Sequence, residues 1–140
     1  MNGERILIDT SIWIDYFQNK SSQFSVTVDD ILSTENVYIP KIVIAELIQG
    51  ARSKKEVSVI QSYFDAFTII DQKEDTWLEA GKLSYRLRKK GKSINLLDCY
   101  IAIIASTYKC KILTLDKHFK DIQTEIELRL YLKYPPILAH

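Results

Sequence analysis

Four acidic side chains, Asp9, Glu46, Asp98 and Asp116, occupy places where a carboxylate can do chemistry. Asp9 follows Arg5-Ile6-Leu7-Ile8, an apolar run without alternation that suits a strand buried on both faces. Open α/β sheets bind their ligands at the carboxyl ends of such strands. Asp116 stands in the same way after Lys111-Ile112-Leu113-Thr114-Leu115. Glu46 is the only charged residue between Lys41 and Arg52. Asp98 opens the most apolar helical stretch of the chain. Taken singly, each acid has a plainer use. Asp9 can close an Asx turn, and Glu46 can face solvent. With Asn95 as N-cap, Asp98 can complete a capping-box-like arrangement. Asp116 can cap a turn through Lys117-His118-Phe119. Four plain uses converging on one sheet edge are harder to accept together.

Electrostatics sets what such a cluster needs. Two carboxylates about 4 Å apart repel by about 4 kcal/mol at an effective dielectric near 20. Several such pairs rival a domain's whole stability of roughly 5–15 kcal/mol. The group must take up protons, spread apart or bind a cation. Oxygen donors favour Mg²⁺ or Mn²⁺, and an ion so held activates water and neutralises a phosphoryl oxygen. Neither His118 nor His140 has triad spacing, and there is no glycine-rich phosphate loop.

The elements that must position these acids follow from periodicity. Thr10 or Ser11 caps a helix begun by Ile12-Trp13-Ile14-Asp15-Tyr16-Phe17. Phe24, Val28, Ile31 and Leu32 mark a helix over residues 23–33. Val37-Tyr38-Ile39 is a strand ended by Pro40, which suits the first turn of the next helix, residues 41–52. Val43, Leu47, Gly50 and Ala51 form the inward stripe of that helix, with Gly50 and Ala51 allowing a close neighbour. Residues 55–65 are helical, burying Val57, Ile60, Tyr63 and Phe64, and residues 67–70 form the third strand. A long helix carries Trp77, Ala80, Gly81, Ser84 and Leu87 inward and ends at Gly91 in the C′ position. The apolar helix after Asn95 leads into the fourth strand, residues 111–115. Alternation from Ile126 to Leu132 predicts a half-exposed edge strand ended by Pro135-Pro136.

This order of strands and helices predicts an α/β, right-handed, doubly wound sandwich: a mostly parallel central sheet of about five strands with helices on both faces. The 140 residues fit a single domain, 1–140, that buries roughly 70% of its unfolded surface. A formal net charge of +1 supplies no global basic field for nucleic acid. Phosphate binding therefore falls to local cations: Arg86, Arg88, Lys89, Lys90 and Lys92, a cluster larger than helix capping requires, with Lys54 and Lys55. Cys99 and Cys110 have no zinc spacing and read as buried thiols in a reducing compartment. The N-terminus reaches Asp9 too soon for a signal peptide, and no apolar run approaches the ~18 residues of a membrane span. A cytoplasmic protein without a membrane partner is expected. Trp13, Tyr16 and Phe17 crowd one short helix, which suggests either core or a docking surface for another chain.

Ile8-Asp9-Thr10-Ser11, Ala45-Glu46-Leu47-Ile48-Gln49-Gly50-Ala51, Leu97-Asp98-Cys99-Tyr100-Ile101-Ala102 and Leu113-Thr114-Leu115-Asp116-Lys117-His118-Phe119 together resemble PIN-domain ribonucleases. They are most similar to the VapC-type toxins of toxin–antitoxin pairs, and the resemblance runs over residues 6–132. It implies a PIN-like three-layer sandwich and a metal-dependent endoribonuclease whose catalytic and metal-binding acids are Asp9, Glu46, Asp98 and Asp116. Ser11 and Thr114 support the site, and the cofactor is Mg²⁺ or Mn²⁺. It further implies an RNA substrate, a cognate antitoxin and a possible homodimer. His118 departs from the pattern, since many relatives have another acid there. Two other classes compete. A receiver-like Mg²⁺-binding signalling domain would use Asp71, at the end of the third strand, as phosphoacceptor, but Thr10 stands where it needs a second acid. A catalytically silent PIN binding module is the other.

Overall fold

The computed structural model describes residues 3–18 and 23–131. The chain runs β1 (Arg5–Ile8), α1 (Thr10–Gln18), α2 (Gln23–Thr34), β2 (Asn36–Pro40), α3 (Lys41–Gln49) and α4 (Lys54–Tyr63). A 3-10 turn (Phe64–Ala66) follows, then β3 (Thr68–Ile70), α5 (Thr76–Lys89), α6 (Leu96–Thr107), β4 (Lys111–Leu113), α7 (His118–Ile122) and β5 (Arg129–Leu130). The sheet order is β3-β2-β1-β4-β5, and every neighbouring pair is parallel. β1 is central, and Ile6, Leu7 and Ile8 have no exposed surface, as their unbroken apolar run requires.

From β1 the chain steps outward through β2 to β3, then crosses back to β4 and on to β5. Right-handed crossovers place the helices of the two directions on opposite faces. The contacts agree: α1 packs on α2 and α3, and α3 on α4, whereas α5 packs on α6 and both meet α7. β1 and β4 are adjacent strands whose connections leave in opposite directions. Their carboxyl ends form the switch point where α/β sheets open a crevice.

The structure corrects several local expectations. The fourth strand ends at Leu113, two residues early, because Thr114 turns its hydroxyl toward Asp9. β5 pairs over two residues only. Gly50 is an exposed helix cap, and a Cβ built there would meet nothing nearer than 3.7 Å, so no close approach demands it. Pro40 is the last residue of β2 and the N-cap of α3 rather than part of its first turn. The inward stripe of α5 is Thr76, Ala80, Leu83 and Leu87, while Gly81 is exposed and Trp77 stacks on Tyr100 near the surface at 4.1 Å. Neither Thr10 nor Ser11 caps α1; their hydroxyls go to acids. The expected burial of Phe24 and the strand end at Leu132 with Pro135-Pro136 lie outside the residues whose placement is described.

Trp13 is fully buried. It packs against Tyr16, Phe17, Tyr63, Phe64 and Phe67, so the α4 end supplies the aromatic surface that α1 alone lacks. Any docking role on α1 passes from Trp13 to the half-buried Phe17 and the exposed Ile14.

Gly91 bears out its expected place. Its φ is +82°, the Gly91 N–H donates to Arg88 O at 2.9 Å, and the Lys92 N–H donates to Leu87 O at 2.9 Å, a Schellman closure of α5. A Cβ at Gly91 would meet nothing within 4 Å, so backbone conformation alone demands glycine. Gly91→Ala is expected to lower stability by about 1 kcal/mol and Gly91→Asn by less, as measured by urea unfolding.

Candidate active site

Asp9 leaves β1 at its carboxyl end and is only 7% exposed. Its backbone joins the sheet through Asp9 N–H to Leu113 O at 2.9 Å, and its own carbonyl accepts from Ile12 and Trp13 at the start of α1. The backbone is therefore held from both sides, and the carboxylate is aimed by hydroxyls. Thr114 Oγ1 donates to Asp9 Oδ2 at 2.8 Å, and Ser11 Oγ donates to the same oxygen at 3.1 Å. Each hydroxyl also accepts a backbone N–H: Asp116 N donates to Thr114 Oγ1 at 2.9 Å, and Leu115 N donates to Ser11 Oγ at 3.2 Å. The loop after β4 is thus fastened to the loop after β1.

Asp98 reaches the same edge from α6. Asn95 caps that helix, accepting the Asp98 N–H at 2.8 Å, and its amide also donates to Asp98 Oδ2 at 3.1 Å. Capping and site-building are therefore one arrangement, not alternatives. Asp116 accepts the His118 N–H at 2.9 Å. His118 Nδ1 lies 3.4 Å from Asp98 Oδ2 and 3.3 Å from Asp116 Oδ1. Glu46, on α3, accepts the Thr10 hydroxyl at 2.7 Å, which ties it to the residue after Asp9. Thr10 escaped the sequence reading as a supporting group, although its place beside Asp9 was the available signal.

The electrostatics match a crowded carboxylate site. Burial pushes the Asp9 carboxyl up, with the Asp116 charge adding, against hydrogen bonds from Thr114, Ser11 and the Thr10 backbone. Burial, then the nearby Asp116 charge, raises Asp98 to about 6, while the His118 contact pulls the other way. Among the described residues, Asp98, Asp116 and His118 each offer a ligand atom within 4.8 Å of the others. Two carboxylates and an imidazole form a donor set that fits a divalent cation. Asp9 and Glu46 stand outside that trio but border it, Asp9 through its charge on Asp98 and Glu46 through Thr10.

Other expected residues are distributed differently. Arg86 pairs with Glu125 at 3.4 Å, Lys90 also pairs with Glu125, and Lys92 pairs with Asp121 at 2.8 Å. Arg88 and Lys89 lie over the Tyr85 ring. Lys54 and Lys55 are exposed at the start of α4. Lys55 lines a groove of about 560 Å³ with Ile14, Phe17, Glu46, Arg52 and Val59. Asp71 is away from the acid cluster, paired with Lys41 at 3.4 Å and accepting the Gln72 N–H, so the receiver-like arrangement is not formed.

The raised carboxyls have a linked consequence. A carboxyl whose folded pKa lies above its unfolded value binds protons better in the folded chain. Its favourable contribution is present below about pH 4 and is lost as the pH rises through about 6. In metal-free buffer the stability of the parent relative to Asp98→Asn should therefore fall between about pH 4 and about pH 7. The expected fall is on the order of 1 kcal/mol after allowing for partial exposure, read by urea unfolding at each pH.

A family model of the PIN domain matches residues 6–125. Ribonuclease VapC1 of Methanocaldococcus jannaschii is 30% identical over 130 residues, 92% of this chain and 88% of that protein. Ribonuclease VapC19 of Mycobacterium tuberculosis is 27% identical over 114 residues, 81% of this chain and 90% of that one. Among solved structures, VapBC2 from Rickettsia felis bound to a DNA fragment from its promoter matches with a TM-score of 0.74 at 22% identity, covering 91% of this chain and 97% of that chain. VapC20 of Mycobacterium tuberculosis, described as a sarcin-ricin loop cleaving toxin, matches with a TM-score of 0.64 at 14% identity, covering 89% of this chain and 98% of that one. With its parallel five-stranded sheet and its acids gathered at the switch point, this chain belongs to the PIN domain family.

Proposed function

We propose that the chain is a metal-dependent endoribonuclease acting in the cytoplasm as the toxin of a toxin–antitoxin pair. The observation that carries this reading is the convergence of Asp9, Asp98 and Asp116 on one sheet edge, with hydrogen bonds aiming each carboxylate. The relatives named ribonuclease VapC support the RNA substrate. Asp9 and Asp98 are the principal holders of a Mg²⁺ or Mn²⁺ ion, completed by Asp116 and Glu46. Bound there, the ion neutralises phosphoryl charge and lowers the pKa of water.

The protein side of the reaction follows from the contacts. Thr114 and Ser11 anchor the Asp9 carboxylate through Oδ2, and Asn95 anchors the Asp98 carboxylate through Oδ2, which fixes the orientation of both. Water attacks phosphorus, the P–O bond to the bridging oxygen breaks, the water's proton passes to a carboxylate, and the leaving oxygen takes a proton from solvent to depart as a hydroxyl. Glu46 is placed for that proton transfer because Thr10 holds Oε1, which leaves Oε2 to accept. Expression of the chain alone should arrest growth with new RNA ends, while Asp9→Ala should not. In vitro, Asp98→Asn should cut cleavage of a labelled RNA by about 100-fold or more, about 2.7 kcal/mol of barrier, while remaining folded. Parent-like cleavage by that folded variant would refute the metal-holding role.

Backbone phosphates of the RNA are met by Arg88 and Lys89, which are not tied to Glu125 or Asp121, with Lys54 and Lys55 on the other helical layer. Arg86, Lys90 and Lys92 contribute only by exchanging an acidic partner for phosphate. Alanine at Arg88 and Lys89 together should reduce the salt slope of RNA binding by about 1.4, the value for two lost contacts with a single strand. Solved neighbours described as VapBC complexes support an antitoxin partner. We assign that partner to the groove between α1, α3 and α4, whose Ile14, Phe17 and Val59 offer apolar area beside Arg52 and Lys55. A homodimer contact is compatible with the exposed Trp77, Leu78 and Tyr85 on α5.

A further inference from the structure

Besides the four acids, the site contains one imidazole. His118 is the first residue of α7, and two constraints set its position. Its backbone N–H is bound to Asp116 Oδ1 at 2.9 Å, and Asp116 is in turn bound through its own N–H to Thr114 at 2.9 Å. The ring then turns inward, with Nδ1 at 3.4 Å from Asp98 and 3.3 Å from Asp116. A surface histidine serving only as an ion-pair partner needs one carboxylate. Here a single ring nitrogen faces two carboxylates from separate elements, α6 and the loop after β4, and all three donor atoms lie within 4.8 Å of one another. Donors on opposite sides of one ion, each bonded at about 2.1 Å, are themselves about 4.2 Å apart, so the trio needs only small side-chain adjustment to meet at a common ion.

We propose that His118 Nδ1 is a direct ligand of the divalent ion, joining Asp98 and Asp116 beside Asp9 in a set that favours first-row transition ions over Mg²⁺. The inference rests on the metal-dependent reading above and deepens it by naming the ion class. Mg²⁺ is a hard cation that takes oxygen ligands and keeps its waters, whereas imidazole suits transition ions. An all-carboxylate site carries no such bias.

The test uses the full chain with Mn²⁺ and Mg²⁺ as probes, read by binding and by pulsed electron paramagnetic resonance. The Mn²⁺-loaded parent should show ¹⁴N coupling from a directly bound imidazole, and His118→Asn and His118→Asp should both lose it. The only other histidine, His140, is present in every variant. Mn²⁺ affinity should fall about tenfold in His118→Asn while Mg²⁺ affinity changes about twofold or less. His118→Asp, which restores an oxygen donor, should raise Mg²⁺ affinity above the parent's. Matching circular dichroism and melting in metal-free buffer establish that the variants are folded. A parent that binds Mn²⁺ and cleaves RNA without ¹⁴N coupling, or a Mn²⁺/Mg²⁺ affinity ratio unmoved by the substitutions, overturns the ligand role and leaves the nuclease reading standing. A parent that binds neither ion overturns both.

Discussion

Thr114 joins the carboxyl ends of the two central strands with one hydroxyl. It donates to Asp9 on the β1 side and accepts from the Asp116 backbone on its own. Nearly everything in the site depends on that pair of bonds. Without the first, a carboxylate that is almost wholly buried would lose its strongest compensation against desolvation. Without the second, the loop that carries Asp116 and His118 would keep only the Leu115–Ser11 bond to the β1 side. A buried acid is tolerated because it is supplied with donors, and the same donors set the direction in which it points.

The site is therefore assembled from carboxylates that the fold holds close but does not neutralise. Burial raises both Asp9 and Asp98, the Asp116 charge adds to each rise, and the Asp9 charge adds a little more at Asp98. A cation relieves this tension more effectively than protonation at neutral pH, since it answers several charges at once. Three acids elsewhere in the fold are met by cations. Glu125 and Asp121 take up Arg86, Lys90 and Lys92, and Asp71 takes Lys41. Unneutralised acids at the switch point and paired acids elsewhere form a functional contrast within one chain.

The groove beside Glu46 links this site to association. Phe17 packs on Trp13 and the aromatic side chains of the α4 end, and with Ile14 it lines the groove on the α1 side. Glu46 stands at once on the groove and next to the acid site. A partner seated there would lie against Glu46 and, through Thr10, beside Asp9.

Strong one-dimensional patterns in the sequence determined the sheet and the acids. The unbroken apolar run before Asp9 can only be buried on both faces, and its repetition before Thr114 places a second strand end at the same edge. Asn95 three residues before Asp98 specified the helix start, because that spacing matches the reach of a cap. Gly91 announced the end of α5 through its tolerance of positive φ. The pairing of side chains across elements was decided only by the tertiary structure. Helical spacing could not orient α5, since Trp77, Ala80 and Leu83 follow at three-residue steps, each about 60° short of a full turn, and only contact with α6 chooses which face is covered. The free or paired state of the cations was equally hidden, because Glu125 and Asp121 reach Arg86, Lys90 and Lys92 over sequence gaps of 29 to 39 residues. Thr10 and His118 belong to the same class. Sequence spacing marks local hydrogen bonds, but which hydroxyl meets Glu46, and which ring nitrogen faces two carboxylates, depends on where the chain returns in space.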